Sequence, residues 1–158
     1  MRLLSLEVEN YRNIASASLT PGRELTVICG NNGQGKTNLL EAIWLLTGGK
    51  SFRGGKDAEL VRRGEPFAVL KASTLRAQQE EQETEEPNRV RLTVGAPDSP
   101  RPGRTVSVNG GAVKRAASLA GSFPAVVFDP GHLSLVKARR KGGGNFWTLP
   151  SASSTPAT

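Results

Sequence analysis

An α/β fold is what the sequence predicts, on three observations. A glycine-rich stretch, Gly30-Asn31-Asn32-Gly33-Gln34-Gly35-Lys36-Thr37, fits the phosphate-cradling pattern G-x-x-x-x-G-K-[ST]. An apolar run with β-branched residues stands directly before it, and a helix-period pattern follows it. Several further stretches alternate apolar and polar residues with the period of a half-buried strand.

Leu4, Leu6 and Val8 alternate with Ser5, Glu7 and Glu9, which predicts an opening strand. Asn10-Tyr11-Arg12-Asn13 reads as a turn, and Ala15 to Leu19 as a second, antiparallel strand. Pro21-Gly22 is a turn signal. Leu25-Thr26-Val27-Ile28-Cys29 predicts a short buried strand that feeds the glycine loop. From Lys36 onward, Leu39, Leu40, Ile43, Trp44 and Leu46 have the spacing of an amphipathic helix, which Gly48-Gly49 ends. Phe67 to Thr74 and Val90 to Val94 predict strands, separated by the acidic stretch QQEEQETEEP, residues 78–87, expected to be a mobile loop. Residues 97–102 predict a loop. Thr105 to Val108 followed by Asn109-Gly110-Gly111 predicts a hairpin. Ala125-Val126-Val127-Phe128 predicts a further buried strand, broken by Asp129-Pro130. The expected architecture is a mixed sheet with an antiparallel region from about residue 66 to 114.

The 158 residues are enough for one modest domain with a real core. The net charge of +7 favours polyanionic partners, nucleic acid first. Three of those charges sit in Arg139-Arg140-Lys141 with no acid after them, leaving +4 for residues 1–137. The single cysteine, Cys29, excludes a disulfide within the chain and makes the reducing cytoplasm the expected compartment. Cys29 ends an apolar run and is expected to be a buried structural thiol. His132 has no partner at a recognised spacing, so no metal cluster is predicted. The N-terminus lacks the apolar core of a signal peptide, and no apolar run has the length of a membrane span.

The glycines at 30, 33 and 35 let the backbone turn sharply and aim several N–H groups at one anion, aided by the dipole of the following helix. Lys36 is expected to reach the β- and γ-phosphates of a nucleotide and Thr37 to hold Mg²⁺. Asp129 follows an apolar run as a Mg²⁺-binding aspartate would, but Pro130-Gly131 stand where a catalytic acid is needed. No residue can be named that would orient an attacking water, so nucleotide binding is predicted without identifiable catalytic residues.

Several stretches together resemble the RecF family of recombinational-repair ATPases, relatives of the SMC and Rad50 proteins. They are Asn10-Tyr11-Arg12-Asn13, the run GNNGQGKTNLLEAIWLL, Gly49-Lys50-Ser51-Phe52-Arg53, Val108-Asn109-Gly110, and Val126-Val127-Phe128-Asp129-Pro130 with Leu133-Ser134-Leu135-Val136-Lys137. The resemblance covers about residues 1–137 and implies the N-terminal lobe of a P-loop NTPase of the ABC-ATPase head type. It implies binding of ATP and Mg²⁺ and ATP-dependent homodimerisation. It also implies DNA binding at gaps and single-strand/double-strand junctions, with RecO and RecR as partners in loading a recombinase. By the same resemblance Gly30, Asn31, Asn32, Gly33, Gln34, Gly35, Lys36 and Thr37 contact nucleotide, and Arg12 matches a basic position near it. Lys50, Arg53, Arg62 and Arg63 are candidate DNA-facing charges. The family's signature motif, Walker B pair and switch histidine have no counterpart here, so the fragment is expected to hydrolyse ATP poorly and to dimerise poorly.

After Lys137 the family pattern gives way to Gly142-Gly143-Gly144-Asn145-Phe146-Trp147-Thr148. Written as codons and read from the preceding base, these residues become NGG NGG NAA YTT YTG GAC. The last two codons are forced to Leu and Asp, and the whole can spell Arg-Arg-Glu-Leu-Leu-Asp, close to the family's continuation. A frameshift between about Lys137 and Gly142 is therefore expected, with residues 138–158 as out-of-frame translation and no selected fold. Two rival functions are a small P-loop nucleotide kinase, which needs an Arg-rich lid, and a non-enzymatic basic nucleic-acid-binding module.

Overall fold

The computed structural model describes residues 1–75, 86–95, 103–113, 119 and 123–128. The predictions for the acidic loop up to residue 85, the loop at 97–102, Asp129 and the tail lie outside these residues. One compact unit spans Met1–Val127, and a second, Phe128–Thr158, is represented among the described residues by Phe128 alone.

The elements are β1 (Arg2–Tyr11), β2 (Ile14–Leu19), α1 (Lys36–Leu45), a 3₁₀ turn (Asp57–Leu60), β3 (Phe67–Leu75), β4 (Asn88–Gly95), β5 (Gly103–Val108) and β6 (Gly111–Val113). The strands form one sheet in the order β2-β1-β3-β4-β5-β6, antiparallel at every pairing. Alternation decides the register. Val8 lies opposite Leu70, Leu70 opposite Leu92, and Leu92 opposite Val106, so one face carries an apolar row across four strands. Ala42, Leu45 and Leu46, at the end of α1, and Leu60 complete the core. The opposite face is polar, and there Lys71 Nζ stands 3.1 Å from carboxylate oxygens of both Glu7 and Glu9. The β5–β6 hairpin turns at Asn109 and Gly110, both with positive φ, as a two-residue hairpin requires.

Several expectations are corrected. The run Leu25–Cys29 is not a strand; Leu25 and Val27 are 79% and 75% exposed, and the Cys29 thiol is exposed. Ala125–Phe128 likewise forms no strand, and Val126 and Phe128 are exposed. The sheet is therefore antiparallel rather than mixed among the described residues. The physical reason is pairing: an apolar β-branched run becomes a strand only where a neighbouring strand completes its hydrogen-bond ladder. Finally, the inward face of α1 is wider than the apolar spacing indicates: Leu46 is buried and Leu39 and Ile43 pack against the core as expected, but the face also takes in polar residues and leaves one leucine out. Leu40 is 50% exposed, whereas Asn38 and Glu41 are buried beside Ala42 and Leu45.

The end of α1 is tied down by contacts that periodicity does not announce. Trp44 Nε1 donates to the Lys50 carbonyl at 2.8 Å, and a side chain at Gly49 would meet the indole at 2.9 Å. Arg104, on β5, grips Asp57 with two hydrogen bonds of 2.7 and 2.9 Å and donates to the Gly49 carbonyl at 2.7 Å.

Candidate phosphate-binding site

The loop between residue 30 and α1 has its glycines at φ of 145°, 83° and 95° at Gly30, Gly33 and Gly35, a region that disfavours other residues. At Gly35 space matters as well, because a Cβ would meet Asn13 Oδ1 at 2.9 Å and the Ile14 side chain at 3.2 Å. Lys36 Nζ donates to the carbonyls of Gly30 (2.7 Å) and Asn31 (2.6 Å), so its ammonium lies against the loop's own backbone. The Gln34 carboxamide oxygen accepts from the Asn31 N–H at 2.9 Å. Thr37 is exposed in the first turn of α1, and Asn32 and Gly33 are exposed at the crest of the loop.

Behind the loop stands a buried polar cluster centred on Glu41, whose side chain is fully buried. Arg12 donates to it through Nε (2.7 Å) and Nη2 (2.8 Å), Tyr11 donates its hydroxyl at 2.7 Å, and Ser51 donates as well. Burial pushes the Glu41 carboxyl up, but the hydrogen bonds from Arg12, Ser51 and Tyr11 outweigh it and hold the group below its ordinary value. The Arg12 guanidinium is held above its ordinary value, chiefly by its hydrogen bonds to Glu41. Burial, with Glu41 adjacent, drives the Tyr11 phenol far upward, so it remains a donor. Arg12 itself has φ 51°, a left-handed conformation that non-glycine residues adopt rarely. The turn at residues 10–13, the start of α1 and Ser51 are thereby locked together.

An open cleft of about 990 Å³ runs along the loop. Asn32, Gly33, Gly35, Lys36 and Thr37 line it from the loop and α1, and Arg12, Arg53, Arg62 and Arg63 line it from the other elements. Glu59 is the one acidic residue in this lining against five basic ones, so the cleft is cationic. The expected nucleotide residues Lys36, Thr37, Asn32, Gly33, Gly35 and Arg12 thus meet in one place, whereas Gly30, Asn31 and Gln34 are exposed outside this lining. Arg53, Arg62 and Arg63, expected to face DNA, share the cleft with the loop, and Lys50 stands exposed outside it. Among the described residues no group of three or more potential metal ligands occurs. No helix among them is long and apolar enough to cross a membrane.

Sequence reasoning missed Tyr11, Asn13, Asn38, Glu41 and Ser51. A signal was present for two of them. Asn38, Glu41 and Leu45 follow i, i+3, i+7 spacing, so the stripe that carries buried Leu45 also carries an amide and a carboxylate.

The family model described as the RecF/RecN/SMC N terminal domain matches residues 2–135. The chain belongs to this family. Curated relatives named DNA replication and repair protein RecF agree. That of Geobacter sp. (strain M21) is 35% identical over 137 residues, covering 87% of this chain and 34% of the relative. That of Anaeromyxobacter dehalogenans (strain 2CP-C) is 39% identical over 160 residues, covering 99% and 40%. The chain therefore spans a little over a third of these relatives' length. A solved structure of the recombination mediator protein RecF with ATP, in the RecFOR pathway, superposes with a TM-score of 0.72 at 30% identity over 85% of this chain and 33% of that one. A structure from work on ATP-driven dimerization and DNA-stimulated activation of SMC ATPases gives a TM-score of 0.68 at 20% identity, covering 87% of this chain and 92% of that one, a likeness of fold. The fold is the N-terminal lobe of a P-loop ATPase head of the RecF and SMC kind.

Proposed function

We propose that this chain binds ATP with Mg²⁺ in the cationic cleft, as the N-terminal lobe of a RecF-type head that engages DNA in replication and repair. The observation that carries the reading is the meeting of Lys36 and the left-handed glycine loop with Arg12, Arg53, Arg62 and Arg63 around one cleft. A triphosphate is the ligand that such a concentration of donors and positive charge favours. Thr37, exposed at the start of α1, offers the hydroxyl for Mg²⁺, which takes much of its shell from phosphate and water. The position of Arg53, Arg62 and Arg63 supports giving these charges to the nucleotide and leaves Lys50 as the DNA candidate.

No residue is assigned to orient an attacking water, and hydrolysis is expected to be slow. ATP-dependent dimerisation, engagement of gapped DNA, partnership with RecO and RecR, and a cytoplasmic location belong to the same reading, as activities of a protein of the relatives' full length. So does the division into a lobe at 1–137 and an out-of-frame tail at 138–158, which resequencing from the Leu133 codon onward would test. The decisive binding experiment titrates Mg-ATP into the chain and its Lys36→Ala variant. Loss of the charged donor should weaken binding by about 10–100-fold. Equal affinity of the two proteins would refute the reading. Phosphate transfer to a small acceptor would favour a nucleotide kinase instead.

A further inference from the structure

Tyr11 pairs with Ile14 across the β1–β2 hairpin, so Arg12 and Asn13 form its turn. Asn13 is exposed, yet both ends of its carboxamide are engaged. Its Nδ2 donates to the Gly33 carbonyl at 2.7 Å, and its Oδ1 accepts from Asn38 Nδ2 at 2.7 Å. The Asn38 Oδ1 in turn accepts from Arg53 Nη1 at 2.7 Å. This chain of bonds has one possible direction. Arg53 can only donate and the Gly33 carbonyl can only accept, so the amide of each asparagine is fixed in orientation by the ends of the relay. A trans peptide points its C=O and N–H in opposite directions, so anchoring the Gly33 carbonyl also fixes the direction of the Gln34 N–H. The close approach of Asn13 to Gly35, where a Cβ would collide with it, shows independently that the turn is seated on the loop.

We propose that Asn13 is a positioning residue for the phosphate loop, held in its working orientation by Asn38 and Arg53. The inference rests on the nucleotide reading for its function but not for its geometry. It makes the β1–β2 turn part of the binding apparatus: Arg12 holds the turn to α1 through Glu41, and Asn13 holds the loop to the turn. The relay also ends on a cation of the cleft, so a ligand that draws Arg53 away from Asn38 would loosen the crest of the loop.

The test uses the full chain with Asn13→Ala, Asn13→Asp and Asn38→Asp. Asn13→Asp sets a carboxylate against the Gly33 carbonyl, and Asn38→Asp sets one against Asn13 Oδ1, while each keeps the shape of the side chain. Amide hydrogen exchange of residues 33–35 in the free protein should quicken at least threefold in all three variants. Mg-ATP affinity should fall about tenfold, with the thermal midpoints of the two Asn13 variants near that of the unaltered chain because Asn13 is exposed. Unchanged exchange at 33–35 overturns the inference whatever the titration gives. If the unaltered chain fails to bind Mg-ATP, the nucleotide reading falls, and the exchange data still decide the relay. Weaker binding with unchanged exchange assigns Asn13 to direct ligand contact and also overturns the proposal.

Discussion

Two runs of this chain are alike in composition and opposite in fate. Val90-Arg91-Leu92-Thr93-Val94 lies inside β4, paired on both sides, with Val90, Leu92 and Val94 at 1% exposure or less. Leu25-Thr26-Val27-Ile28-Cys29 has the same β-branched, apolar character and stands largely in solvent. The difference teaches that propensity offers a strand and a neighbour accepts it. β4 finds β3 and β5; the segment before the phosphate loop finds no ladder among the described residues. Charged pairs divide in the same way. The Arg12–Glu41 pair closes at 2.7 Å around a fully buried carboxylate, whereas Lys71 meets Glu7 and Glu9 at 3.1 Å on the open face of the sheet.

The largest expected effect tests the charged half of the contrast. Glu41→Ala leaves the Arg12 guanidinium without its carboxylate partner and the Tyr11 and Ser51 hydroxyls without their acceptor, and should cost about 3–5 kcal/mol by urea unfolding. The pH dependence follows with its sign. Because the folded-state value of Glu41 is lowered, its contribution is complete above the unfolded carboxyl value, about 4.3, and drains away as pH falls through the lower folded value. Glu41→Gln should flatten that part of the acid unfolding curve, and an unaltered curve would show that another group governs it.

The apolar half comes next. Leu92→Ala should cost about 2–5 kcal/mol, and Val27→Ala should stay within about 0.5 kcal/mol. Similar losses in thermal unfolding at both sites would break the comparison by showing that Val27 is covered in solution. Smaller again is Gly49→Ala, whose new methyl group meets the Trp44 indole and should cost about 1–3 kcal/mol, with a blue or red shift of tryptophan emission as the ring gives way. Below Gly49→Ala stands Lys71→Ala. Its two ion pairs are exposed and screened, so a loss under about 1 kcal/mol is expected, shrinking further in high salt.

These contrasts mark how far the sequence could be read. β1, β3, β4 and the β5–β6 hairpin were legible because one face of each is buried and period two survives in the residue order. The phosphate loop was legible because its glycines and Lys36 follow each other in the chain. The relay and the Glu41 cluster were not, since Asn13, Asn38, Arg53 and Ser51 are brought together only by folding, and each alone is an ordinary surface residue type. Leu25–Cys29 was misread for the converse reason: its composition is that of a buried strand, and the partner that would bury it is not encoded within five residues of it.

Cys29 gives that misreading a practical side. It is the chain's one thiol, it is exposed, and it adjoins the first glycine of the phosphate loop. A maleimide dye would therefore attach at a single defined place without any engineered substitution. Its reaction rate, followed with and without nucleotide, would turn the base of the loop into its own reporter of occupancy.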